Sequence, residues 1–365
     1  VSSVALENLE RLRRLAAEKG LERVVVYGPA NIAHILGTDA ARIAVVGDEP
    51  VLLVPRLEYL RALEERAAGR VIAVAKEAEW SEYEEGVKGD FLDALSILLE
   101  GVEPSKVGVA GAPKDFVSKL ARKLGGRPAN ISKEYTLLRR RKTGGELELL
   151  SRAARVAEQA MQRAVDMLEP GVSEAEVAAE ILSLMVSRGY TFSFYPIVAF
   201  GEHSAHPHAK PSPRRLRKGE LVKIDLGARV EGYCSDMTRT FVLGDASSRQ
   251  KKIYDAVLEA QERGVGALGV SVKAVKPYRA AYRVLGRRGL AKYFNHGLGH
   301  GVGVEIHEAP YLAPSSRETL QEGDVVTVEP GVYMAGYGGV RIEDMVVVTG
   351  EGARLLTFFD KFLEL

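Results

Sequence analysis

Two stretches of the 365-residue chain echo each other in a way that limits how its second half can fold. Asp225-Leu-Gly leads through Gly232-Tyr233 to Asp236-Met, and Glu329-Pro-Gly leads through Gly336-Tyr337 to Glu343-Asp-Met. Apolar strand-like runs broken by glycine turns read as hairpins, here with an acid on each arm. The arms of a hairpin lie close enough for their side chains to share a ligand. Two such hairpins facing across a pseudo-twofold axis would bring four carboxylates into one pocket. Chance similarity between glycine-rich hairpins is the competing account. A carboxylate among apolar neighbours is costly unless a cation or several donors meet it. Arg239, near Asp225 and Asp236, and Arg341, near Glu329 and Glu343, are the protein partners that would satisfy some of them without metal.

Between the hairpins stands His296-Gly-Leu-Gly-His300-Gly-Val-Gly-Val-Glu-Ile-His307-Glu-Ala-Pro310. Six of the seven histidines fall between His203 and His307, a bias that structural histidines alone would not produce. His296 and His300 have the spacing of a helical zinc pair, but Gly297 replaces the glutamate of His-Glu-x-x-His and the glycines oppose a helix. A phosphate loop is also excluded, because no Lys-Ser/Thr follows. Four carboxylates and an imidazole suit two divalent cations sharing bridging oxygens, which points to a dinuclear metallohydrolase.

At the usual ~150 residues per domain the chain has room for two. Residues 1–135 read as a small α/β domain: helices over 7–19 and 91–99, strands at 24–27, 43–46, 51–54, 70–75 and 106–110. His34, its only histidine, reads as structural. Leu137-Leu-Arg-Arg-Arg-Lys-Thr-Gly-Gly-Glu146 reads as a solvated linker over 136–146 rather than an anion-binding surface. The second domain, 147–365, follows a helix from about 146 to 168 with Ser173-Glu-Ala-Glu176, which has capping-box spacing. Strands are expected at 197–199, 221–226, 237–243, 325–329 and 341–348, with helices over 250–268 and 272–285.

The net charge of +1 gives no reason to expect nucleic acid, and a single cysteine, Cys234, allows no intrachain disulfide. The first residues lack the basic and apolar regions of a secretory leader. No apolar run approaches the ~20 residues needed to cross a bilayer. A cytoplasmic protein without nucleic-acid or membrane partners is therefore expected. Sparse amides with abundant Arg and Glu fit a thermophilic source and a GC-rich genome equally well.

The second domain resembles the metal-dependent pita-bread peptidases, most closely the Xaa-Pro aminopeptidases and Xaa-Pro dipeptidases (prolidases). The matching stretches are Phe194-Tyr-Pro-Ile-Val-Ala-Phe-Gly, Pro207-His208-Ala, Asp225-Leu-Gly, Gly232-Tyr-Cys-Ser-Asp236-Met-Thr-Arg-Thr240, Gly299-His300-Gly-Val-Gly, Ile306-His307-Glu-Ala-Pro310, Glu329-Pro-Gly and Val340-Arg-Ile-Glu343-Asp. Asn31-Ile-Ala-His-Ile-Leu-Gly37 looks like part of the creatinase-type domain that accompanies them. The resemblance implies a creatinase-like α/β N-terminal domain and an α+β pita-bread catalytic domain with pseudo-twofold symmetry. It implies that Asp225 binds one metal, that Asp236 and Glu343 bridge both, and that His300 and Glu329 complete the other. It places His208 and His307 against the substrate, with Glu329 also catalytic. Thr238 and Arg341 would orient the bridging acids, and His296 would line the pocket. A homodimer acting on proline-containing peptides is implied as well.

The chemistry is consistent with that resemblance. A hydroxide shared by two cations is available near neutral pH. It would attack the scissile carbonyl while a metal and an imidazole stabilise the oxyanion. Glu329 would relay the proton to the departing nitrogen. Mostly oxygen ligands with one imidazole favour Mn²⁺, Co²⁺ or Fe²⁺, with Zn²⁺ next.

Three positions depart from the pattern. Phe200 stands where relatives usually have a small serine, and His206 where an apolar residue is common, so a different pocket rim is expected. Tyr311 follows Pro310 where prolidases often carry an arginine that holds the dipeptide carboxylate. The expectation is therefore an Xaa-Pro aminopeptidase accepting longer peptides, with the dipeptidase as alternative. A metal-free creatinase-like amidinohydrolase or a non-catalytic relative on the same fold is the further alternative; the presence of all five ligands weighs against it.

Overall fold

The computed structural model of the chain describes residues 2–365. The chain divides into two compact units between Arg139 and Arg140. The first is built on a seven-stranded sheet of order β5-β4-β3-β2-β1-β6-β7. Its strands are β1 (Arg23–Tyr27), β2 (Ile43–Val46), β3 (Val51–Pro55), β4 (Arg70–Ala75), β5 (Gly86–Lys88), β6 (Val107–Ala110) and β7 (Ala129–Asn130). Helices α1 (Ser2–Glu18), α2 (Pro29–Leu36), α3 (Tyr59–Glu65), α4 (Phe91–Leu98), α5 (Lys114–Leu124) and α6 (Ser132–Arg140) connect them. Successive strand residues face opposite sides. Val24 and Val26 accordingly enter one apolar core and Val25 the other. Covering both faces explains why these strands are continuous apolar runs rather than alternating ones. His34 is buried here with Nδ1 3.2 Å from the Tyr135 hydroxyl.

The segment expected as a solvated linker is structured instead. Helix α6 runs to Arg140, and α7 (Gly144–Asp166) begins just beyond it. Thr143 caps α7 in a capping box closed by Glu146, with the same reciprocal bonds that Ser173 and Glu176 make at α8 (Glu174–Ser187). Arg140 grips the buried Asp324 from Nε at 2.9 Å and Nη2 at 2.6 Å, and Lys142 Nζ lies 2.5 Å from Glu308. Buried carboxylates require cations, so this basic run turns inward.

The second unit is two half-structures of similar design. The first half has α7 and α8, then β8 (Thr191–Phe192), β9 (Ile197–Phe200), β10 (Leu221–Leu226), β11 (Ala228–Val230), β12 (Tyr233–Cys234) and β13 (Met237–Val242). The second half has α9 (Ser248–Val265) and α10 (Val275–Arg287), then β14 (Gly299–Gly301), β15 (Glu308–Leu312), β16 (Val325–Val328), β17 (Gly331–Met334), β18 (Gly338–Arg341), β19 (Asp344–Thr349) and β20 (Gly352–Leu355). Each half wraps its helix pair on its own apolar core.

The sequence echo is realised in the topology. Antiparallel β10 and β13 flank the small β11–β12 hairpin, and antiparallel β16 and β19 flank β17–β18. Only Asp225 lies within a strand, opposite Thr238. Asp236, Glu329 and Glu343 each sit one residue outside one, where the chain turns into or out of the smaller hairpin. The single strand expected at 341–348 is therefore two. Arg341 pairs with Gly331, and Asp344 already pairs with Val328. Across the break, β13 takes over the bonding: the Glu343 amide donates to Thr238 O at 3.1 Å and the Arg341 amide to Thr240 Oγ1 at 3.1 Å.

Candidate metal centre

The seam between the two halves gathers the acids. Ligand atoms of Asp236, His300 and Glu343 lie within 4.8 Å of one another, and all three residues are buried. His300 Nε2 is 3.5 Å from Asp236 Oδ2 and 3.4 Å from Glu329 Oε1, which brings Glu329 to the same group. Asp225 joins from β10 and is gripped through Oδ2 by Arg341. Its other oxygen, Oδ1, is buried without a hydrogen-bond partner. Arg239 takes no part: it pairs with Asp344 at 2.8 Å on the opposite side of the strands. Arg341 meets Asp225 rather than Glu329 or Glu343. Neither protein-only account therefore satisfies the four acids.

His300 is the most informative side chain. Its Nδ1 lies 3.1 Å from Gly301 O and its Nε2 faces carboxylate oxygens, so the one proton of a neutral ring has acceptors on both sides. Burial, and next the neighbouring His307, lower its pKa to about 4, so no second proton relieves the contact near neutrality. Burial, and then repulsion among the acids, push Asp236 and Glu343 well above the ordinary carboxylate range. Burial likewise raises Glu329 to about 7, against the opposing pull of Arg341. Excess buried negative charge, an orphan carboxylate oxygen and a neutral imidazole with acceptors at both nitrogens are what a cation site requires. The residues present fit a divalent metal.

The structure places the other expected residues around this group as follows. Thr238 Oγ1 donates to Glu343 Oε2 at 2.6 Å and accepts from Arg341 Nε at 3.0 Å. His296 is not a ligand in waiting. Its Nδ1 is 2.7 Å from Gly297 O, and its Nε2 is 3.0 Å from the Tyr333 hydroxyl. Tyr333 in turn accepts from Arg341 at 2.8 Å. His307 stacks edge-on against His300 at 4.2 Å between ring centroids. Burial, and then the charge of His208, lower the His307 pKa, and His208 also bears on His296. Both His208 and His307 are exposed.

Tyr311 lies directly across β14–β15 from His300 and is 46 % exposed. His206 is exposed in the loop before His208. Phe200 does not shape the rim as expected: it is fully buried in the first half's core.

Sequence reading missed three residues. Thr327 donates to Glu329 Oε1 at 3.2 Å and accepts from the His300 amide at 3.1 Å, doing for Glu329 what Thr238 does for Glu343. Tyr333 closes the chain between His296 and Arg341. Lys223 is fully buried in β10. Two of the three carried a readable signal, a polar residue two places before an acid on an apolar strand: Lys223 before Asp225 and Thr327 before Glu329.

Comparison with known proteins agrees with this architecture. Residues 148–350 match metallopeptidase family M24, and residues 8–140 match the creatinase/prolidase N-terminal domain. An Xaa-Pro dipeptidase of Pyrococcus furiosus is 37% identical over 355 residues, covering 96% of this chain and 97% of that protein. The crystal structure of a Pyrococcus horikoshii prolidase is similar at a TM-score of 0.81 and 32% identity, covering 98% of this chain and 99% of that one. The structure of an X-Pro aminopeptidase from Thermotoga maritima is similar at a TM-score of 0.87 and 28% identity, with coverage of 98% and 99%. Among the described residues no helix is long and apolar enough to cross a membrane. With a pita-bread unit matched over residues 148–350 that follows a creatinase-type domain matched over residues 8–140, this chain is a member of metallopeptidase family M24.

Proposed function

We propose that the protein hydrolyses Xaa-Pro dipeptides at two divalent cations held by Asp225, Asp236, His300, Glu329 and Glu343. The observation that carries the metal reading is the neutral His300 ring with acceptors at both nitrogens, Nε2 lying 3.4–3.5 Å from carboxylate oxygens of Asp236 and Glu329. Asp236 and Glu343 would bridge the pair, Asp225 would serve one ion, and His300 with Glu329 the other. When bound, the cations supply Lewis-acid polarisation of the scissile carbonyl and a water acidic enough to attack near neutral pH. Oxygen-rich ligation favours Mn²⁺, Co²⁺ or Fe²⁺, with Zn²⁺ next.

The chain's own residues do the rest. Glu329 would take up a proton from the attacking water and pass it to the departing proline nitrogen. His307 and His208 present ring N–H groups to the oxygen that gains charge in the transition state. Arg341 and Thr238 keep Glu343 oriented, as outer hydrogen bonds do at metal sites. The Xaa-Pro bond is a tertiary amide without N–H, so recognition falls to its carbonyl and to the proline ring. The His296–Tyr333–Arg341 chain offers a fixed wall for that ring.

The dipeptide reading rests on the relatives. The 37%-identical Pyrococcus furiosus protein and the horikoshii prolidase both carry that activity in their names. They outweigh the expectation, drawn from Tyr311 alone, that longer peptides are preferred. An Xaa-Pro aminopeptidase is the second reading, favoured by a tyrosine rather than an arginine at position 311, directly across from His300. Hydrolysis of a matched Xaa-Pro dipeptide and Xaa-Pro-Yaa tripeptide, after chelation and return of Mn²⁺ or Co²⁺, decides. Metal-dependent cleavage with higher kcat/KM on the dipeptide is expected. Tripeptide preference would make the protein an aminopeptidase, and cleavage of neither would return the metal-free alternative.

A further inference from the structure

We infer that Lys223 is a positioning residue that holds His208 against the substrate; the inference rests on the reading of His208 as a substrate-contacting group. Lys223 lies mid-strand in β10, two residues before Asp225 and between Ala199 of β9 and Thr240 of β13. Its side chain is 0 % exposed, in a strand whose other members, Asp225 apart, are apolar. A buried ammonium group is costly unless every donor finds a partner. Here the partners are backbone, not a carboxylate. Nζ donates to Ser204 O at 2.9 Å and His206 O at 2.6 Å, and reaches Pro207 O at 3.5 Å. The ammonium also lies 5.1 Å from the Tyr333 ring centroid, a cation–π contact.

These carbonyls belong to the segment that ends in His208. Arg341 Nη1 donates to Pro207 O at 3.3 Å, so two buried side-chain donors grip the segment. His208 itself is exposed, and its placement is set through the backbone that precedes it. Removing Lys223 leaves carbonyls 204 and 206 without their shared donor and frees the segment to shift. A displacement of an ångström at a substrate-contacting group is enough to lower turnover strongly. Lys223 touches neither the carbonyl under attack nor a carboxylate of the metal group; it acts through His208.

A double-mutant cycle tests this. Lys223→Met is made in the wild-type chain and in His208→Ala, and kcat, KM, bound metal and thermal midpoint are measured in the metal-loaded enzyme. Lys223→Met is expected to lower kcat by about tenfold or more in the wild-type background. In the His208→Ala background it should change kcat by less than about twofold, because coupled residues are non-additive. KM and metal content should hold. Equal fold losses in both backgrounds, or no loss in either, would overturn the role given to Lys223 while leaving His208 intact. An unchanged kcat in His208→Ala alone would overturn the reading of His208, and the inference with it. If Lys223→Met does not fold, Lys223→Gln, which keeps one carbonyl donor, is read in the same cycle.

Discussion

At His300 a single proton decides what the site can be. A neutral ring carries one proton, while Nδ1 meets Gly301 O and Nε2 meets two carboxyl groups; a cation beside Nε2 removes that conflict. His296, also followed by glycine, has a different fate, because the Tyr333 hydroxyl already occupies its Nε2. The glycine-rich setting alone does not separate the two, since the deciding partner lies 37 positions away; only the family resemblance gave them different roles. The acids were legible, since four carboxylates in apolar stretches are too costly to bury without positive charge among them. Asp236→Asn removes a bridging charge and is expected to lower kcat by about 10²-fold or more, with less metal bound after dialysis. Near-normal turnover at full metal content would refute the two-cation reading. His307→Ala is expected to cost about 10²–10³-fold in kcat with metal occupancy retained. A parallel loss of metal would mean that His307 is a ligand.

At the scale of elements, three consecutive residues of β13 hold the break between β18 and β19. Thr238 and Thr240 face the carboxylates and the Arg341 backbone, while Arg239 points away to Asp344. Asp344 also receives Gln261 Nε2 at 2.9 Å, Thr357 Oγ1 at 2.8 Å and Lys361 Nζ at 2.7 Å. Removing one partner of a buried pair leaves the other uncompensated. Asp344→Ala should therefore destabilise the protein by about 3–5 kcal/mol in denaturant unfolding, and Asp344→Asn by less. A loss within the range of surface substitutions, about 0.5 kcal/mol, would show that Arg239 is satisfied by the Phe359 and Glu343 carbonyls alone. The break itself could not be read from sequence, because pairing with two different partners leaves no mark in a linear pattern. The Thr143 capping box could have been read: Thr-x-x-Glu stands in the sequence, but the arginine run before it suggested solvent. Ser173, with an apolar helix face following, gave the same motif without that distraction.

For the molecule as a whole, the buried acids make stability depend on pH and metal together. Glu329 moves from an ordinary 4.5 to about 7 on folding, so the metal-free folded state prefers it protonated. That contribution is present below the unfolded value and is lost as pH rises from 4.5 through about 7. Asp236 and Glu343 shift in the same direction. A cation binds the deprotonated set and stabilises the folded state by mass action. Adding Mn²⁺ to chelated protein should thus raise Tm clearly near pH 8 and little near pH 5; an equal rise at both would mean these carboxylates do not bind the ion. One further property follows from how the second unit is divided. Asp225 and Asp236 belong to one half, and His300, Glu329 and Glu343 to the other. The covalent passage between them is the short stretch Gly244–Ser247, while the last residues return to run beside the end of β13 through Val242 and Leu365. Severed at Ala246, the unit would become two inert polypeptides with a built-in means of finding each other, and their reunion would announce itself as turnover.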